Sequence, residues 1–176
     1  MTAIKPLRIG ISQCLLGDHV RYDGGHKRDA LLADILSRQV EWVPVCPEVE
    51  AGLGVPREPM RLEGTAASPR LVTITTAVDH TAAMRQFSAR RLRELERLEL
   101  SGYVFKARSP SCGIGRVPLM SAQGKETPEG AGLFAQALMA HFPAMPVEDE
   151  ERLHDPQILK NFLKRVSDYC NSRDRV

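Results

Sequence analysis

Hydrophobic and polar positions alternate between two rhythms along the chain. Leu7-Arg8-Ile9-Gly10-Ile11-Ser12 is a short apolar run with strand character. Asp29 to Arg38 then places Leu31, Leu32, Ile35 and Leu36 on one helical stripe. Glu41-Trp42-Val43-Pro44-Val45-Cys46 predicts a second strand, and the β-branched Arg70-Leu71-Val72-Thr73-Ile74-Thr75 a third. A long helix is predicted from about Asp79 to Leu98, with Met84, Phe87, Leu95 and Leu98 on its inner face. Gly102 to Lys106 predicts a fourth strand. Thr127-Pro128 offers an N-cap and a first-turn proline for a helix running to about His141. Met145 to Glu148 reads as a short extended piece. Strands alternating with helices predict an α/β fold with a mainly parallel sheet covered by helices on both faces. Ligands of such sheets bind beyond the carboxyl ends of the strands.

The end of the chain has a different pattern. Glu148-Asp149-Glu150-Glu151 is acidic and is expected to be exposed. Asp155-Pro156 starts another helix, in which Ile158, Leu159, Phe162, Leu163 and Val166 form a stripe. That stripe must pack on the domain, on a second subunit or on a missing neighbour. The chain therefore divides into 1–150 and a helical segment, 151–176, which is either a tail or the start of a second domain. No internal repeat or low-complexity tract interrupts the pattern.

Composition narrows the class. The 176 residues, 43% apolar and 26% charged, suffice for one domain with a real core. No apolar run approaches the ~20 residues that cross a bilayer, and Met1 to Pro6 shows no signal-peptide core, so a cytoplasmic location is expected. A net charge of +2 is too small to mark a dedicated nucleic-acid binder. Arg90, Arg91 and Arg93 read equally well as a solvated helix face.

The chemistry rests on the cysteines. Of the four, Cys14, Cys46 and Cys112 each follow a predicted strand and sit among Pro, Gly and Ser rather than core residues. They are 32 and 66 residues apart, yet a parallel sheet would bring all three to one edge. A lone cysteine is ordinarily a small buried hydrophobe. Three in such loops, rich in backbone N–H groups that stabilise thiolates, point instead to a shared metal site. Spacing leaves zinc and an iron–sulfur cluster both open. The lack of a C-x2-C knuckle and of a fourth ligand counts against structural zinc. Cys170, at the end of the last helix, has no comparable setting.

Three motifs resemble the thiouracil desulfidase family. They are Ser12-Gln13-Cys14-Leu15-Leu16-Gly17 with Val20-Arg21-Tyr22-Asp23-Gly24, then Val45-Cys46-Pro47-Glu48-Val49-Glu50 with Gly52-Leu53 and Pro56-Arg57, then Lys106 with Ser109-Pro110-Ser111-Cys112-Gly113. The likeness runs from about Leu7 to Glu148. It implies a Rossmann-like domain, a 4Fe-4S cluster on Cys14, Cys46 and Cys112, and conversion of thiolated uracil to uracil with release of sulfide. Glu48 falls on the family's catalytic glutamate and Ser109 on its catalytic serine. Glu150 to Pro156, Asn161-Phe162 and Arg165-Val166 are similar to the junction of longer relatives that carry a second, helical domain and act on thiouridine in tRNA. The chain ends soon after that junction, as a short member or as part of a longer protein.

The residues alone read more plainly. Glu48 could cap a helix or pair with Arg57, and a serine before proline, as at Ser109, is ordinarily a turn residue. Glu50 is a weaker candidate for proton transfer. Substrate contacts are expected from Ser12, Asp23, Arg57 and Ser111: the two serines could instead hydrogen-bond cluster sulfur, and Asp23 and Arg57 could contact the base edge or ribose. Arg21 and Lys106 would balance cluster charge. A thiolated nucleobase is the expected partner, with tRNA and oligomeric state open. Two rivals remain: a sulfur carrier that assists thiolation, and an interaction domain held by zinc.

Overall fold

The computed structural model describes residues 6–173. The opening Met1 to Lys5, read above for a leader segment, and the last residues of the tail lie outside that range. Two four-stranded sheets form the frame. In the first, β1 (Leu7–Ser12), β2 (Val40–Val45), β5 (Gly102–Phe105) and β8 (Val147–Asp149) lie in the order β2-β1-β5-β8. All its pairings are parallel. The second has the order β4-β3-β6-β7, from β3 (Met60–Thr65), β4 (Ser68–Thr73), β6 (Val117–Met120) and β7 (Glu126–Gly130). There β3 pairs β4, and β6 pairs β7, antiparallel.

The parallel sheet is covered on both faces, as the alternating pattern predicts. Tyr103 and Phe105 point to one face and pack with Met84, Phe87 and Leu95 of α2 (Thr81–Arg97) and with Phe134 and Leu138 of α3 (Leu133–His141). Ile9, Ile11 and Val104 point to the other, against Leu32, Leu36, Phe162 and Val166. The last two belong to α5 (Pro156–Arg173), whose first turn is capped by Asp155 Oδ1 accepting from Gln157 N at 2.8 Å. Burying Phe162 and Val166 stabilises this packing by about 1.5–3 kcal/mol each. Phe162 and Val166 of the tail stripe are thus buried on the sheet, with Ile158, Leu159 and Leu163 partly buried beside them.

Gly10 is where two strands demand a missing side chain. A Cβ there would lie 2.2 Å from Tyr103 Cδ2, so the ring of Tyr103 fills the space above β1. Pro44 sits in β2, which is an edge strand, where a residue without an N–H costs no ladder bond.

Four expectations are corrected. The run 70–75 is a strand over Ser68–Thr73, but it belongs to the second sheet and runs antiparallel. Thr127 and Pro128 lie in β7, another edge strand, and α3 starts only after Gly132. A Cβ at Gly132 would meet the Ser111 carbonyl carbon at 2.4 Å, so close approach to the third cysteine loop sets that boundary. Residues 29–38 are helical but irregular, a π turn at Leu31–Ile35 and a 3-10 turn at Leu36–Arg38. Trp42 Nε1 and Ser37 Oγ both donate to the Leu32 carbonyl, competing with regular helix bonds. Finally, of the acidic run only Glu151 is exposed: Glu148, Asp149 and Glu150 are buried. Arg152 pairs with Glu148, the Arg152 amide bonds Asp149, and Lys106 pairs with Glu150.

Candidate active site

Three turns beyond the carboxyl ends of parallel strands carry the three cysteines. β1 runs into a 3-10 turn, Gln13–Leu16, that holds Cys14 and ends at Gly17, whose φ of 99° suits only glycine well. β2 ends at Cys46, the N-cap of the short helix α1 (Pro47–Glu50). The Cys46 amide donates to Glu50 Oε2 at 2.9 Å, and the Glu50 amide donates back to the Cys46 carbonyl at 2.9 Å. The Glu50 side chain thereby satisfies the amide of Cys46, and the helix's own first backbone bond closes the turn. After β5, Arg108 adopts a left-handed φ of 60°, which a non-glycine residue does at some cost. The chain then turns through Ser109 to Cys112. The first amides of α3 grip this loop: Phe134 N donates to the Ser111 carbonyl at 3.0 Å, and Gly132 N to that of Gly113 at 2.7 Å.

All three cysteines line one cavity of about 580 Å³, within the range of small-ligand sites. They are buried free thiols. Burial pushes the Cys14 thiol up to about 11, and the nearby Cys46 adds to the rise. Burial likewise raises Cys46. Cys112 is pushed furthest, by burial first; a Ser12 hydrogen bond opposes the rise, while Cys46 and Cys14 add to it. Each thiolate would therefore repel the others, and metal cations would allow all three to ionise together. Arg21 and Lys106 both favour the Cys14 thiolate. Among the described residues, no group of three or more His, Cys, Asp or Glu is arranged to hold a metal ion. Three soft thiols around one cavity are the donor set that thiolate-ligated iron–sulfur clusters use.

Glu48 projects into the same cavity from α1. Its Oε2 takes Arg57 Nε at 2.7 Å and Nη2 at 2.6 Å. The pairing with Arg57 read from the residues is thus present, and it leaves Oε1 free to accept from Ser111 Oγ at 2.9 Å. Arg57 is itself fixed by the carbonyls of Val20, at 2.9 Å, and Gly54, at 2.8 Å. Ser109 Oγ accepts from the amides of Ser111 and Cys112 at 3.3 and 3.1 Å, the turn role a serine before proline suggests. It also lies 3.2 Å from Ser111 Oγ, so Ser109, Ser111 and Glu48 are connected in series. Ser12 is buried; its Oγ accepts from Lys106 N at 2.9 Å and it hydrogen-bonds Cys112.

Two expectations fall outside this arrangement. Asp23 stands outside the cavity lining, exposed, with its carboxylate accepting from Gly25 N at 2.9 Å; that backbone bond lowers its pKa. It shapes a turn. Glu50 is also off the lining, taken up by Cys46 N and by Arg91 at 3.2 Å.

The cavity also includes residues that the sequence pattern does not single out. Glu150 closes one wall, its Oε2 accepting from Ala107 N at 2.7 Å and its Oε1 paired with Lys106. His154 bonds Asp29 across the rim at 2.6 Å. An acidic residue next to a strand end was the available signal for Glu150; nothing local marks His154.

YbbK of Bacillus subtilis (strain 168), an uncharacterized protein, is 28% identical over 133 residues, 73% of this chain and 87% of its own. The solved structure of the 4Fe-4S-dependent thiouracil desulfidase TudS superposes with a TM-score of 0.70 at 29% identity, covering 88% of this chain and 97% of that one. Residues 9–150, which take in all three cysteines and Glu48, match the family described as 2-thiouracil desulfurase. This chain belongs to that 2-thiouracil desulfurase family.

Proposed function

We propose that this protein is a thiouracil desulfidase that binds a 4Fe-4S cluster through Cys14, Cys46 and Cys112 and replaces the sulfur of a thiolated uracil by oxygen. The observation that carries the reading is the convergence of the three thiols and Glu48 on one cavity. When bound, the cluster supplies an iron without a protein ligand, a Lewis acid that polarises the thiocarbonyl.

The chain's own groups do the rest. The Arg57 guanidinium holds Glu48 through one oxygen. The other oxygen is directed at Ser111, next to Cys112, where it can take a proton from an attacking water. The Ser111 and Ser109 hydroxyls connect to it and can carry that proton onward. Water adds to the carbon, the carbon–sulfur bond breaks, and the two protons of water leave with the sulfide, so no electron is gained or lost. Tyr22, Lys27 and Arg108 line the cavity and offer stacking and positive charge to a base or its ribose phosphate.

The reaction class covers free base, nucleoside and tRNA thiouridine. Anaerobic reconstitution followed by assay on each, with no acceptor protein present, tests it. Sulfide and uracil released in equal amounts support the desulfidase; sulfur retained until an acceptor is added would favour the carrier reading.

A further inference from the structure

Five lysine and arginine side chains line the cavity: Arg21, Lys27, Arg57, Lys106 and Arg108. Four of them are engaged elsewhere or lie in water. Arg57 is held by Glu48 and by the carbonyls of Val20 and Gly54. Arg108 is 64% exposed and pairs with Glu151, and Lys27 is exposed. Arg21 lies over the ring of Tyr22, with the Asp23 carboxylate 3.9 Å away.

Lys106 is different, because it is fixed in the wall at both ends. Its amide donates to Ser12 Oγ at 2.9 Å, and its side chain is only 13% exposed. Its Nζ donates to Glu150 Oε1 and, at 3.1 Å, to the Ala107 carbonyl. Glu150 accepts the Ala107 amide on its other oxygen at 2.7 Å, so both carboxylate oxygens are in use. An ammonium has three hydrogens to donate, and the third has no acceptor among the described residues. Glu150 therefore neutralises the buried charge of Lys106 without using up its donors.

The desulfidase reaction creates negative charge inside this cavity. As the carbon–sulfur bond breaks, its electron pair leaves with the sulfur. A donor fixed in a wall shielded from water stabilises such charge far better than one in solvent. We propose that the third ammonium hydrogen of Lys106 makes a hydrogen bond to that sulfur and holds the hydrosulfide product in the cavity until it is released. The ammonium keeps its own proton; the sulfur is protonated by those that came from the attacking water. The proposal rests on the desulfidase reading above.

The test is Lys106→Met combined with Glu150→Gln, which removes both charges together and leaves no buried charge unpaired. Anaerobic titration of the reconstituted variant with sodium sulfide, followed by its visible spectrum, should give a Kd weakened about 10–100-fold, the loss expected for one hydrogen bond to a charged group. The Kd for uracil, which carries no sulfur, should be unchanged by calorimetry, and kcat on thiouracil should fall by about 10²–10³. Sulfide bound as tightly as by the unsubstituted chain would overturn the proposal. Equal weakening for sulfide and uracil would also overturn it, as the mark of a distorted cavity. If the double variant takes up no iron, Glu150→Gln alone decides: the ammonium has lost its counter-charge and should bind sulfide at least as tightly as before, and weaker binding would overturn the proposal. An unsubstituted chain that takes up iron yet frees no sulfide from thiouracil would sink the desulfidase reading first and the proposal with it.

Discussion

Glu48 and Arg57 form a largely buried ion pair in which two of the three guanidinium nitrogens, Nε at 2.7 Å and Nη2 at 2.6 Å, contact one carboxylate oxygen. The other oxygen is thereby turned to Ser111 and the cysteine loop. A general base needs such orientation, because its efficiency depends on holding the reactive oxygen within reach of the water it deprotonates.

Glu48→Gln keeps the shape and removes the basic oxygen. We expect the reconstituted variant to keep its brown absorbance while kcat falls by about 10²–10⁴. Desulfidase rate and visible spectrum measured on the same sample check this, and unimpaired turnover would take Glu48 out of the mechanism.

Arg57→Ala leaves the Glu48 carboxylate buried and unpaired. Breaking a buried pair from one side costs about 3–5 kcal/mol, so Tm should drop sharply, whereas Glu48→Gln should cost less. Arg57→Lys is expected to restore only part of the loss, since an ammonium cannot span the carbonyls of Val20 and Gly54 as well as the carboxylate. Thermal denaturation of the variants checks the order.

Much of this arrangement is legible in the order of residues along the chain. The apolar runs at Leu7, Glu41 and Gly102 form parallel strands, with the Gly102 run wholly buried and the Glu41 run at the sheet edge, and that places their exits, with Cys14, Cys46 and Cys112, on one edge. The second sheet is not legible in the same way. Met60–Thr65 and Glu126–Gly130 carry charge and glycine instead of apolar alternation, since only part of each strand meets the core. Glu150 misleads for a related reason: an acidic run normally faces water, but here long-range partners at Lys106 and the Ala107 amide neutralise it. Asp23 misleads because its motif neighbour Tyr22 faces the cavity while its own carboxylate closes a turn.

Cys170 is buried at the far end of the tail helix and lines no part of the cavity. Cys170→Ala should therefore retain iron and activity. Replacing Cys14, Cys46 or Cys112 by alanine should abolish both, because a cubane loses a third of its anchorage with each. Iron content after anaerobic reconstitution separates the four variants.

Asp79 accepts from the Thr81 amide at 2.9 Å at the start of α2. Bonds from Thr81 lower its pKa. A depressed folded-state pKa contributes stability above the unfolded carboxyl value, near 3.9, and that contribution fades as pH falls through the folded value. Asp79→Ala should cost about 1 kcal/mol at neutral pH and progressively less below pH ~4. Denaturant midpoints across that range check the sign; a constant difference would assign the effect to packing.

The most direct test of the whole account is Mössbauer spectroscopy of the anaerobically reconstituted chain with and without thiouracil. A single iron environment of the 4Fe-4S cluster should shift on adding thiouracil, while the thiolate-bound irons stay as they were. A cluster whose irons are all indifferent to thiouracil, or a chain that takes up zinc in place of iron, would contradict it.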